Sequence, residues 1–185
     1  MNQAKQTDEW LMGQVAAGQR ESLAILVRRH ASPLLTYIER MVGDHHRSEE
    51  LFQEVFLRVW IKRRTYRFPR PFRAWLFTIA TNHCRSAFRR SVPRAVPLSE
   101  DLPESLTAPD ASPIEAAVAT ETAHLVAAAI EHLPPHQREV VVLRNFNGLS
   151  FGEIAETVGC SEPTARSHLH HALGGLRRFL ERRLK

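Results

Sequence analysis

The sequence predicts an all-α chain of two helical domains, residues 1–92 and 121–185, joined by a flexible proline-rich acidic linker over 93–120. Three observations carry this. Apolar residues on both sides of the linker recur at the three- and four-residue spacing of amphipathic helices. Five of the 11 prolines fall within 91–120, a stretch rich in Ser and Thr with no aromatic residue, which is the composition of a linker. The last third carries helix start and stop signals in close succession. With 185 residues, 43% of them apolar, the chain can build a core in one medium domain or two small ones.

The first helix is expected to be capped by Thr7 or Asp8 and to run through Trp10, Leu11 and Val15 toward Gly18. A second starts near Ser22 with Leu23, Leu26 and Val27, is expected to be interrupted or restarted at Pro33, and continues through Leu34, Leu35, Ile38 and Met41 to Gly43. In SEELFQEVFLRVW, positions 51, 52, 55, 56, 59 and 60 are all apolar, a broad buried stripe. A break at RRTYRFPRP precedes FRAWLFTIATNHCRSAFRR, where Trp75, Leu76, Ile79, Ala80 and Cys84 face a core and arginines take the other side.

Beyond the linker, Pro135 suits the first turn of a helix carrying Val140, Val141 and Leu143, which Asn147-Gly148 ends. Ser150 with Glu153 forms a capping box, and Leu149 and Ile154 occupy the staple positions of a short helix, FGEIAETV. Gly159 makes a turn, Ser161 caps again, and a long helix runs through Leu169, Leu173, Leu176 and Leu180. Short helix, glycine turn and long basic helix form a helix-turn-helix, although a plain three-helix bundle would share the geometry. The outward residues near the start of the long helix are Glu162, Arg166, Ser167, His170 and His171, at the end that meets base edges in such motifs.

Charge is distributed unevenly. Residues 58–94 hold 11 basic and no acidic side chains, whereas 95–120 hold five acidic and no basic ones. Uncompensated arginines interleaved with Trp60, Tyr66, Phe68, Phe72, Trp75 and Phe77 have the composition of a single-stranded nucleic-acid surface, with a solvated basic face over an aromatic core as the alternative. Just before them, Glu50, Gln53, Glu54 and Leu57 share one outer helix side, as a protein contact would require. A metal-dependent nuclease built on His45, His46, Glu49, Glu50 and Glu54 lacks a second acidic cluster. No catalytic site, metal or cofactor is expected. Cys84 and Cys160 lie far apart without metal-type spacing, so neither a disulfide scaffold nor a zinc site organises the fold. No apolar run approaches the roughly 18 residues of a membrane helix, and MNQAKQTDEW lacks a signal peptide's apolar stretch. A cytoplasmic location without direct membrane contact is the expectation.

Three blocks, SEELFQEVFLRVW, FRAWLFTIATN with Arg89-Arg90, and LPPHQREVVVLRNFNGLSFGEIAETVGCSEPTARSHLHHALGGLRR, in this order and split by an acidic linker, resemble the extracytoplasmic-function (ECF) sigma factors of the sigma-70 family. The resemblance covers nearly the whole chain. It implies a region 2 that binds the clamp helices of core RNA polymerase and the melted minus-10 element, and a region 4 that binds the minus-35 duplex and the polymerase flap. It also implies an anti-sigma factor as a further partner. A helix-turn-helix regulator acting without polymerase is the rival, and it would need a ligand or phosphoacceptor domain that the sequence does not display.

By this resemblance Glu50, Leu51, Gln53, Glu54 and Leu57 fall on the polymerase contact. The minus-10 element would meet Arg64, Tyr66, Arg67, Phe68, Arg70 and Arg73, with Tyr66 in the base-capturing loop, and then Asn82, Arg85, Arg89 and Arg90 along the next helix. The minus-35 duplex would meet Ser161, Thr164, Arg166, Ser167, His168, His170 and His171. Glu50 stands where the family generally has Asp, and Phe68-Pro69 where it has a glycine and a polar residue. Ser86 replaces an Asp, and His168 and His171 replace arginines. These departures bear on which promoter is preferred.

Overall fold

The structure is a computed structural model that describes residues 6–91 and 113–183. Its elements are α1 (Asp8–Ala16), α2 (Arg20–Val42), α3 (His45–Lys62), a 3₁₀ turn (Arg63–Thr65), α4 (Phe72–Ser91), α5 (Pro113–Glu131), α6 (Pro135–Val141) with a π-type turn (Val142–Phe146), α7 (Phe151–Val158) and α8 (Glu162–Arg183). No strand occurs among the described residues.

Thr7 caps α1 by accepting from the Trp10 amide at 3.2 Å, and Leu11, Met12 and Val15 bury one face. Glu9 accepts from the Phe72 amide at 3.1 Å, so a side chain of α1 satisfies one of the orphan donors at the start of α4. Contrary to the expected break, α2 continues through Pro33. An internal proline forfeits one helix bond at a cost of about 3 kcal/mol, but Leu26, His30, Leu34, Tyr37, Ile38 and Met41 are buried along the whole helix. Packing on both sides of Pro33 offsets the local cost. Gly43 ends α2 at φ 73°, and Asp44 then caps α3 by accepting from the Arg47 amide at 2.6 Å. On α3 Leu51, Val55, Phe56 and Val59 are buried, with Phe52 and Trp60 packed partly against the core. Trp75, Leu76, Ile79, Ala80 and Cys84 of α4 all lie inside, and the Tyr37 and Thr81 hydroxyls pair at 2.7 Å between α2 and α4.

The expected linker overlaps a helix, because α5 begins at Pro113. Proline at the first helical position is well tolerated, and the Ala- and Glu-rich run that follows has high helix propensity. The rest of the expected linker lies outside the described residues. The helix begun by Pro135 passes into a π-type turn before Gly148 (φ 62°), where the buried Asn147 side chain donates to the Val142 carbonyl at 3.1 Å. The Ser150–Glu153 capping box forms, and Leu149 and Ile154 are buried. Gly159 adopts φ 80°, and Ser161 accepts from the Thr164 amide at 3.2 Å to start α8. On α8, Ala165 and Ala172 are buried while Leu173 points outward, 48% exposed. It lies off the inner stripe that Leu169 and Leu176 share. At Gly175 an added Cβ would sit 3.0 Å from the Leu133 side chain, so a larger residue there would require Leu133, just after α5, to shift by a few tenths of an ångström.

The two halves pack against each other, α7 on α4 and the π-type turn and α5 on α2, and their buried residues join one apolar cluster.

Candidate nucleic-acid interface

Three surfaces hold the residues that the sequence singles out. On α3, Glu50 and Gln53 are exposed and Leu57 is 60% exposed. Arg47 ties the acids together, 2.5 Å from Glu50 and 3.7 Å from Glu54, and Glu54 also lies 3.2 Å from Nδ1 of His83. Leu51 is 1% exposed and belongs to the core. It can support a contact on this face but cannot touch a partner. Ile61, 56% exposed one turn after Leu57, extends the apolar part of the face. Its i, i+4 spacing from Leu57 was the signal available in the sequence.

The second surface is the basic loop and α4. Arg64, Arg67 and Phe68 are exposed, and among the described residues Phe68 is the most open large apolar side chain, at 74%. Tyr66, expected in the base-capturing loop, is turned inward. Its hydroxyl donates to the Arg70 carbonyl and its ring meets Trp75 edge-on at 5.4 Å. Desolvation pushes its phenol up to about 12. Tyr66 thus anchors the loop, and Phe68 is the aromatic ring that the loop presents. On α4 the 100° step per residue brings Asn82, Arg85 and Arg89 within one arc, whereas Arg73, although exposed, lies half a turn round from Asn82. Asn82 is exposed, and Arg89 is exposed with its guanidinium on the Ser86 hydroxyl at 3.0 Å. The Arg90 side chain lies outside the described residues. Arg70 pairs with Glu156 at 2.8 Å, and Arg85 pairs with Glu139 at 2.6 Å. The hydrogen bond to Glu139 strengthens the hold of Arg85 on its proton. No local signal marks Glu139 as a partner, because only the packing of the halves brings α6 to α4.

The third surface is α8. Arg166, Ser167, His170 and His171 lie on one exposed face, with Arg166 held 2.5 Å from Glu162 and its guanidinium 4.3 Å over the Phe151 ring. Ser161 and Thr164 share a hydroxyl contact of 2.7 Å at the helix start. His168 is half-buried and stacks on His136 of α6, with 6.0 Å between ring centroids, away from the face its neighbours share. The residues weighed for a nuclease are occupied differently: His45 sits 2.9 Å from Glu39 and 3.6 Å from Glu49, and the hydrogen bond to Glu39 raises its pKa. Among the described residues no three His, Cys, Asp or Glu side chains are grouped to hold a metal ion, and no helix is long and apolar enough to cross a membrane.

Comparison with known proteins identifies the family of each half. The Sigma-70 region 2 family matches residues 26–93, and the Sigma-70, region 4 family matches residues 123–174. The ECF RNA polymerase sigma factor SigL of Mycobacterium tuberculosis is 34% identical over 167 residues, covering 90% of this chain and 93% of that protein. SigE of Mycolicibacterium smegmatis is 35% identical over 158 residues, covering 84% of this chain but 60% of that protein. Among solved structures, CnrH in complex with the cytosolic domain of CnrY superposes with a TM-score of 0.73 at 26% identity, over 94% of this chain and 97% of that one. The sigma factor RpoE of Bartonella quintana, bound to the anti-sigma factor NepR, shares the fold with a TM-score of 0.68 at 23% identity, over 84% and 94% of the two chains. The chain belongs to the sigma-70 family of RNA polymerase sigma factors, in its ECF group.

Proposed function

We propose that this ECF sigma factor docks on core polymerase through Glu50, Gln53, Leu57 and Ile61 of α3. In the same reading it holds the melted minus-10 strand on Phe68, Asn82, Arg85 and Arg89, and reads the minus-35 duplex with Arg166, Ser167, His170 and His171. The segregation of charge carries this reading: 58–94 has 11 basic and no acidic residues, beside an α3 face that is acidic and apolar. Acids and leucine suit a protein surface, whereas arginines around an exposed ring suit phosphates and unstacked bases. Stacking of a captured base is worth about 1–3 kcal/mol, comparable to the few kcal/mol lost on extrusion, so melting is driven by binding alone and needs no chemistry from this chain. Arg166 can reach guanine and Ser167 either kind of base. Acting with polymerase sets its place in the cytoplasm. The anti-sigma partner of the Bartonella quintana structure supports a proteinaceous inhibitor for this chain as well. Permanganate footprinting on a promoter selected from a random DNA pool by core polymerase plus this chain tests the reading. Reactive thymines should appear around the minus-10 position only with both proteins, and should fade with Asn82→Ala or Arg89→Ala. Equal reactivity with core polymerase alone would refute it.

A further inference from the structure

Arg85, which the preceding reading assigns to the melted strand, and Arg70, which the family resemblance places on the same surface, are both occupied by the other half of the chain. Arg85 donates to Glu139 through Nε at 2.7 Å and Nη2 at 2.6 Å, and through Nη2 to the Val158 carbonyl at 3.0 Å. Glu139 is 1% exposed, and a buried carboxylate needs such a partner. Arg70 meets Glu156 of α7 at 2.8 Å. Guanidinium donors engaged by a carboxylate, the Nε and Nη2 edge of Arg85 and Nη2 of Arg70, cannot hold a phosphate at the same time.

The rest of this interface is cationic and poorly compensated. Arg138 donates to the Met41 carbonyl at 3.1 Å, and Arg40 stacks on Phe146 with its carbon 3.8 Å from the ring centroid. Among the described residues neither makes a salt bridge, and Nε and Nη1 of Arg40 have no hydrogen-bond partner. Burial accordingly lowers the pKa of both. Buried cations disfavour closure unless acids balance them. Glu139 and Glu156 supply the acids of the salt bridges that join the halves, beside the shared apolar cluster and the Thr157 hydroxyl on the Ala74 carbonyl at 3.4 Å. The α8 reading face is untouched, with the Arg166 side chain 58% exposed.

We propose that the closed chain is self-inhibited toward single-stranded DNA: Glu139 and Glu156 occupy Arg85 and Arg70 in place of backbone phosphates, and a DNA strand opens the halves by competing for the same two guanidiniums. The inhibition is selective. It occupies two arginines of the minus-10 surface and leaves the minus-35 face free. The inference rests on the reading of Arg85 as a DNA contact, and its test separates the two.

The test measures small-angle X-ray scattering of the full chain together with anisotropy of a labelled 12-nucleotide single strand of mixed sequence. A closed chain of 185 residues has a radius of gyration of about 16 Å. Glu139→Gln combined with Glu156→Gln should raise it by several Å and tighten single-strand binding about tenfold, against about twofold for a double control of equal charge, Glu121→Gln with Glu181→Gln. Glu156→Gln alone, at an exposed position that cannot upset folding, should move both readings the same way by less. Affinity for duplex DNA should change no more than in the control. An unchanged radius in the double variant, or a gain in single-strand affinity no larger than the control's, overturns the proposal. Arg85→Gln should open the chain and also lose single-strand affinity. If it opens the chain yet binds the strand as tightly as the Glu139→Gln, Glu156→Gln double variant, the DNA role of Arg85 fails while the latch stands.

Discussion

The Asp8 carboxylate lies 2.6 Å from Nε2 of His30, with Arg29 on its other oxygen at 2.8 Å, and this pair pins α1 to α2. The His30 hydrogen bond, partly opposed by burial, holds the Asp8 carboxyl below its ordinary 3.8. A carboxyl with a depressed folded-state pKa contributes stability above its unfolded value and loses it as pH falls through the folded value. Asp8→Asn should therefore cost about 1 kcal/mol at pH 7, allowing for the partial exposure of the pair. In urea denaturation the gap between variant and parent should shrink once the pH drops below 3.8. A gap that stays constant down to the acid limit would mean the pair contributes nothing.

Leu57 and Ile61 form the apolar part of an otherwise acidic face. Leu57→Asp or Ile61→Asp should weaken core-polymerase binding by about tenfold or more, the loss typical of an interface anchor, with helical circular dichroism unchanged because neither side chain is buried. Glu54 is a poorer probe, since reversing its charge also breaks its contacts with Arg47 and His83. Native affinity in both aspartate variants would remove this face from the contact.

On α8 the effects should divide by role. Arg166→Ala is expected to cost about 1–3 kcal/mol on the selected minus-35 duplex and to relax preference at one base position, as loss of a base contact does. His171→Arg should strengthen binding to all sequences alike and steepen the salt dependence by about one unit of slope. A uniform loss with Arg166→Ala would make it a phosphate contact instead.

Residues 92–112 separate α4 from α5, and fully extended they reach at most about 75 Å. Two promoter elements about 20 base pairs apart are separated by about 70 Å along the duplex, so the segment has almost no length to spare. Removing ten residues from it leaves about 40 Å. Such a variant should bind core polymerase normally yet lose transcription from promoters that need both elements. Full activity would show that the halves are bridged some other way.

The helices and most of the exposed faces were legible because their signals are local. The capping box of Ser150 and Glu153, the stop at Gly159 and the outward side of α8 depend on neighbours a few residues away. Three features were not legible for the opposite reason. The continuity of α2 through Pro33 depends on burial against other helices, which outweighs the local proline signal. Tyr66 reads as a loop aromatic, but Trp75 and the Arg70 carbonyl draw it inward and leave Phe68 outside. Arg85 reads as a free cation on a basic helix, and its partner Glu139 lies 54 residues away in sequence. Pro113 was instead a local signal read by composition alone, since a proline that closes a linker and one that opens a helix look alike until the Ala-rich run after it is weighed.

Run-off transcription with purified core polymerase, on a promoter selected from a random pool by the two proteins together, tests most directly whether this chain supplies promoter specificity. A single defined transcript should appear with the full chain, vanish with Leu57→Asp, and fall sharply with Arg166→Ala or Asn82→Ala. The same transcript from core polymerase alone, or full activity in all three variants, would contradict the assignment of these surfaces.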